Sequence, residues 1–211
     1  MGAHGAGKLS DADLLRVEKS ACPGAGACGG QFTANTMAMV LTGLGLSPMG
    51  LNDIAATDPD KRKAAHYCGE LLMQCLADDL KPRDVLTREA FINATRLVAA
   101  TAGSTNAVLH LLAIAHDAGI DLDLEDFDQA ARDTPVIADL KPGGRYTAVE
   151  LTEAGGTALV ARELHVAGML MAYLPAARIA FDADLFDTHE APPAAPTPAM
   201  RSFFNQVRRM K

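Results

Sequence analysis

Residues 22–30 read Cys-Pro-Gly-Ala-Gly-Ala-Cys-Gly-Gly, and this run constrains the fold more tightly than any other. Four glycines in nine residues carry too large an entropic cost for a helix, and Pro23 withholds an N–H from any central strand. The segment must be a loop. It leads into Thr33–Leu44, whose apolar spacing predicts a helix stopped by Gly45. A glycine loop ahead of a helix N-terminus gives a thiolate an unobstructed approach, nearby N–H groups and a favourable dipole. Cys28 is therefore a candidate metal ligand. The composition by itself leaves open the alternative, an inert thiol in a glycine turn.

The rest of the chain to about residue 167 predicts further helices. Ser10 caps one over 10–20, with Asp13 in the capping-box position. Pro59 opens another behind Thr57 or Asp58, running to about Asp79 with Leu71, Leu72, Cys75 and Leu76 on a buried stripe. Thr87 starts a helix carrying Phe91, Ile92, Ala94, Thr95 and Val98. The turn Gly103-Ser104-Thr105-Asn106 separates it from an apolar helix over 107–116 that Gly119 ends. Asp123 caps an acidic helix over 124–133. Two short helices near 148–154 and 157–167 are divided by Gly155-Gly156. The apolar run Pro135–Leu140, bounded by turn residues, is the best strand candidate. With 5% aromatic residues and no Trp, the core has to be built from Leu, Val, Ile, Ala and Met.

Hydrophobic residues make up 49% of the 211 and charged residues 21%, the profile of a globular protein with a real core. A net charge of -7 without a dense basic cluster argues against a nucleic-acid partner. No apolar run is long enough to span a bilayer, so no membrane partner is expected, and the absence of a signal pattern points to a cytoplasmic protein. Cys22, Cys28, Cys68 and Cys75 then read as thiols or ligands rather than disulfides.

Other candidates carry less. Cys68 and Cys75 lie two helical turns apart, too far to share one metal, and read as core packing. Gly2-Ala-His-Gly-Ala-Gly-Lys8 nearly spells a phosphate-binding loop, but Leu9 stands where Ser or Thr should hold magnesium and no strand precedes it. Ser104, Thr105 and Asn106 put small polar groups and N–H groups at a helix start, which suits a carboxylate or hydroxyl ligand. An ordinary N-cap explains the same residues. His110, one turn into that apolar helix, reads as a core histidine. Lys141 and Arg145 after the strand could meet an acidic ligand, or form a plain surface turn.

Taken together, these segments resemble one family. Ser20-Ala-Cys-Pro-Gly-Ala-Gly-Ala-Cys-Gly-Gly-Gln-Phe-Thr-Ala-Asn-Thr-Met37 is similar to the signature of the dihydroxy-acid dehydratase and phosphogluconate dehydratase family. Further matches follow in the family's order: Thr87–Ala94, Gly103–Leu111, Thr134–Pro142 with Gly144-Arg-Tyr146, and Glu153-Ala-Gly-Gly156. The Pro-Gly-Ala-Gly-Ala-Cys-Gly-Gly form looks closer to the dihydroxy-acid branch than to the sugar-acid branches. Gln31 and Ala102 depart from the family pattern, where Met and Gly are more usual.

The resemblance implies an α/β fold: the helix-rich part of a parallel-sheet N-terminal dehydratase domain over 1–170, a non-family, irregular tail over 171–211, and no C-terminal barrel domain. It implies a hydro-lyase that converts a small-molecule 2,3-dihydroxy acid to a 2-keto acid, as in branched-chain amino-acid biosynthesis. An iron–sulfur cluster, [2Fe–2S] or [4Fe–4S], would take Cys28 as one ligand. Cys22 matches a motif cysteine not counted as a ligand. Mg2+ serves the full family enzyme, Ser104, Thr105 and Asn106 would bind substrate, and family members are expected to be homodimers. The other cluster cysteines, the magnesium motif, a glutamate ligand and a serine base find no match in this sequence. The chain on its own is thus expected to be incomplete and inactive, with a sugar-acid dehydratase segment or a non-catalytic helical module as the alternatives.

Overall fold

The computed structural model describes residues 2–21, 28–166, 172–174 and 179–181. Helices run in chain order as α1 (Gly2–Gly5), α2 (Asp11–Ser20), α3 (Thr33–Gly43), α4 (Asp60–Ala77), α5 (Pro82–Val85), α6 (Arg88–Ala100), α7 (Asn106–Ala118), α8 (Leu124–Asp133), α9 (Ala148–Ala154) and α10 (Gly156–Val166). Two three-residue strands follow, β1 (Ala172–Leu174) and β2 (Ile179–Phe181), paired antiparallel with Tyr173 opposite Ala180. Among the described residues this ribbon is the whole of the β structure beyond one isolated bridge, and they contain no parallel sheet.

Local chemistry sets most of the helix starts. The hydroxyls of Ser10 and Thr87 accept from the N–H groups of Asp13 and Ala90. Asp123 and Asp126 exchange reciprocal bonds at the head of α8, and Thr147 and Glu150 do the same for α9. The Thr147 N–H and hydroxyl hold the Glu150 carboxyl below its ordinary range. Gly119, left-handed at φ 73°, ends α7. The near phosphate loop at the start is one helical turn, α1, followed by Gly7 at φ 69°.

The core lies around α3 and α6. One cluster joins Met39, Leu97, Ala100, Ala138, Leu140, Val160, Ala161 and Leu164; the other joins Val40, Leu44, Leu86, Phe91, Ala94, Ala107, Leu111 and Ala115. α6 feeds both, through Leu97 and Ala100 on one side and Phe91 and Ala94 on the other. Gly43 lets α3 come this close, because a Cβ there would stand 2.7 Å from Leu97 Cδ1. As expected, aliphatic side chains dominate, with Phe91 the largest fully buried one.

α10 begins on a carboxylate cap from a distant loop. Asp53 accepts from the Thr157 N–H at 2.8 Å and the Thr157 hydroxyl at 2.5 Å. Gly155 (φ 125°) and Gly156 (φ 62°) make the turn, and any Cβ on Gly156 would collide with the Asp53 carboxylate. The pair therefore divides α9 from α10 and also admits the cap.

Three expectations need correction. Pro135–Leu140 is not a strand: the Ile137 and Ala138 N–H groups donate to Ala100 O at 2.7 and 3.1 Å, closing the end of α6. Only Leu140 forms a bridge, with Tyr146. Ala138 and Leu140 are buried against the helices while Pro135 and Val136 are exposed, and a short apolar run cannot distinguish such packing from a sheet. Second, the α4 stripe is not buried. Leu71 and Cys75 are half-buried and Cys68 is exposed, while Leu72 and Leu76 are 60% and 66% accessible. Neither cysteine is core. Third, His110 is exposed rather than buried.

Candidate functional site

The loop that carries Cys28 is seated by its backbone. Gln31 N–H donates to Lys141 O at 2.6 Å and Ala148 N–H to Gly29 O at 3.3 Å. A Cβ on Gly30 would stand 2.6 Å from Lys141 O and 3.0 Å from its carbonyl carbon, so only glycine lets the two backbones meet. The opposing segment is the turn after the misread strand, anchored by Lys141 N–H to Tyr146 O at 2.8 Å. Arg145 there is engaged by Asp139 at 2.5 Å and lies 5.4 Å from the Tyr146 ring centroid. The 141–145 turn thus supports the cysteine loop from beneath.

Asn35, in the first turn of α3, gathers the loop from the other side. Its amide donates to Cys28 O at 2.8 Å and to Gly30 O at 2.7 Å. Cys28 is half-buried, and its thiol donates to Gly30 O at 3.4 Å. Gln31 is 2% exposed and donates to the Thr101 hydroxyl at 3.1 Å and to Met39 Sδ at 3.8 Å. A buried amide with a partner explains how glutamine is tolerated where the resemblance led to methionine as the expectation.

The same turn of α3 reaches the second candidate motif, about 70 residues on. Thr36, fully buried, donates its hydroxyl to Gln31 O at 3.2 Å and accepts the Ser104 N–H at 3.0 Å. Thr33 and Ser104 hydroxyls lie 3.2 Å apart, and the Asn106 amide donates to the Thr33 hydroxyl at 2.8 Å. Ser104 Oγ also accepts from Asn106 N–H at 3.3 Å, while Thr105, the N-cap residue of α7, is exposed and makes no side-chain cap bond. The starts of α3 and α7 therefore come together through Thr33, Thr36, Ser104 and Asn106. Sequence reading found the two motifs and missed the residues that join them. The available signal was Thr33, Asn35 and Thr36, three polar residues opening an otherwise apolar helix.

Ala102, just ahead of this turn, has φ 46°. This is the position where the resemblance led to glycine as the expectation, and a Cβ there is strained. Ala102→Gly is expected to stabilise the chain by about 0.5–1 kcal/mol, the relief of strain outweighing the added freedom of the unfolded chain. Urea midpoints of the two proteins check it.

Cys28 offers one half-buried thiol beside Gly29 and Gly30, which suits one cluster ligand. Among the described residues no group of three or more His, Cys, Asp or Glu could hold a metal ion, and Cys22 lies outside them. The described residues therefore do not supply a complete cluster site, and no catalytic step is assigned to such a group.

A helical scaffold that sets a glycine-bedded cysteine against a small polar turn defines the class of site. The chain belongs to the dihydroxy-acid/6-phosphogluconate dehydratase family, whose N-terminal domain matches residues 1–177. It is 59% identical over 170 residues to a dihydroxy-acid dehydratase of Thermus thermophilus, covering 81% of this chain and 31% of that protein. The dihydroxy-acid dehydratases of Koribacter versatilis and of a Prochlorococcus marinus strain are 53% and 49% identical, over 82% and 81% of this chain and 30% and 31% of theirs. The chain thus spans about a third of the length of these relatives. No helix among the described residues is long and apolar enough to cross a membrane.

Proposed function

We propose that this chain supplies part of the active site of a hydro-lyase that dehydrates a 2,3-dihydroxy carboxylic acid to a 2-keto acid. The observation that carries the reading is the junction of the Cys28 loop and the Ser104–Asn106 turn on the first turn of α3. It sets a metal-competent thiol and a substrate-competent polar turn on one rigid element. The activity for which the relatives are named favours the dihydroxy-acid over the sugar-acid substrate.

In this reading Cys28 is one ligand of an iron–sulfur cluster, which when bound supplies a Lewis-acidic iron for the leaving hydroxyl. Asn35 orients the Cys28 backbone. Ser104, Thr105 and the Asn106 amide, at the start of a 13-residue helix, meet the substrate carboxylate or hydroxyl.

Anaerobic incubation of the 211-residue chain with iron and sulfide tests the ligand assignment. The chain is expected to bind iron and develop thiolate-to-iron absorption that Cys28→Ala abolishes and Cys68→Ala/Cys75→Ala leaves intact. Absorption retained in Cys28→Ala would refute the assignment. With one thiol in place, the chain alone is expected to give no turnover of 2,3-dihydroxyisovalerate, and measurable 2-keto acid would overturn that.

A further inference from the structure

Both motifs of the candidate site are built from neutral segments. No charged side chain occurs from Ser20 to Asn52, which spans the Cys28 loop and α3, or from Leu97 to Leu109, which spans the Ser104 turn. The chain as a whole carries a net charge of -7. An anion approaching the junction is therefore repelled at long range and meets no cation on either motif.

The missing charge stands on the 141–145 turn. Lys141 O takes the Gln31 N–H at 2.6 Å, and a Cβ on Gly30 would lie 3.0 Å from Lys141 Cβ, so this side chain starts against the cysteine loop. Lys141 is half-buried, and its ammonium makes no hydrogen bond or ion pair among the described residues. The charges around it are engaged elsewhere. Arg145, the other cation of the turn, is paired with Asp139 at 2.5 Å. Asp53, which lines a small pocket with Gln31 and Asn35, accepts from the Thr157 N–H and hydroxyl. Glu150 is exposed and bound by the Thr147 N–H and hydroxyl, which lower its carboxyl with a smaller contribution from Lys141. A short chain of bonds joins Lys141 to both motifs. Gln31 donates to Lys141 O, and its own carbonyl accepts from Thr36, which in turn accepts the Ser104 N–H.

We propose that Lys141 is a substrate-binding residue, which draws the carboxylate of the hydroxy acid to the Cys28 loop. A compact ammonium on a flexible four-carbon stem suits this task, because the glycines beside Cys28 put no side chain in its way. The identity of the anion rests on the dehydratase reading, whereas the positive charge at the loop does not.

Alkylation of Cys28 in the 211-residue chain by iodoacetate and by iodoacetamide tests the assignment, with Cys68 followed as an internal reference. The ratio of the two rates reports local charge, since access and thiolate content act on both reagents alike. At low ionic strength Lys141→Gln should lower the ratio at Cys28 about threefold, the attraction of one nearby charge, and leave that at Cys68 unchanged. Lys141→Arg should keep the parent ratio, and high salt should erase the difference between parent and Lys141→Gln. A turn merely loosened by the substitution would speed both reagents together and leave the ratio as it was. Millimolar 2,3-dihydroxyisovalerate should slow iodoacetamide at Cys28 about twofold in the parent and not in Lys141→Gln, while uncharged 2,3-butanediol slows neither. The proposal is overturned by an unchanged ratio in Lys141→Gln, by no slowing with the acid, or by equal slowing with the diol. Failure to load iron with the charge effect intact would instead refute the cluster ligand and leave Lys141 in place.

Discussion

Gly30→Val is expected to lower the unfolding free energy by about 3 kcal/mol, near the upper end of what overpacking costs. The position cannot relax in the usual way. The atoms in the path of a Cβ are Lys141 O at 2.6 Å, its carbonyl carbon at 3.0 Å and its Cβ at 3.0 Å, so backbone rather than a flexible side-chain end has to move. Moving it breaks the 2.6 Å bond from Gln31 N–H to Lys141 O and disturbs Ala148 N–H to Gly29 O. The same displacement unseats the two carbonyls that Asn35 holds, those of Cys28 and Gly30. Urea denaturation measures the first effect. The second is read by thiol labelling, since Cys28 should react faster in the variant while the exposed Cys68 keeps its rate. A variant as stable as the parent, with unchanged labelling of Cys28, would show that the close approach is not essential.

This coupling of a glycine to a thiol was partly legible in the sequence. The Gly/Pro content of residues 22–30 required a loop, and the glycines beside Cys28 suggested an unobstructed approach to its sulfur. The backbone that packs there could not be read, because Lys141 lies more than a hundred residues away and the segment carrying it looked like a plain surface turn. Helix starts were read well where a capping residue marks them, as at Ser10, Thr87 and Asp123, because a cap is local chemistry. The apolar stripe of α4 was read on the wrong face for a related reason. Periodicity shows that a helix has an apolar side but is silent on what lies against it, and here the described residues leave Leu72 and Leu76 uncovered.

The functional motifs divide along the same line. The Cys28 loop and the Ser104 turn could each be found from residue type and spacing, yet each had a plain structural alternative. Their union is a tertiary fact, carried by Thr33, Asn35 and Thr36. The Ser104 hydroxyl accepts the first N–H of α7, that of Asn106, and also lies beside the Thr33 hydroxyl.

Thr36→Val isolates that union with little change of shape, since valine keeps the volume and loses only the hydroxyl. Thr36 is fully buried, and its hydroxyl both donates to Gln31 O and accepts from Ser104 N–H. The variant strands one acceptor and one donor, and each unsatisfied buried group costs about 1–3 kcal/mol. A loss of about 2–4 kcal/mol is expected, large against the marginal stability of a domain this size. Thr36→Ser should recover most of it, because serine restores both bonds and gives up only one methyl. The loss should also be felt at both motifs together. Amide hydrogen exchange should quicken at Gln31 and at Ser104 in Thr36→Val, while the capped start of α8, which does not touch Thr36, keeps its protection. Faster exchange at Ser104 alone, with Gln31 unchanged, would mean that the two motifs are neighbours without being coupled, and the junction on α3 would lose its claim to organise the site.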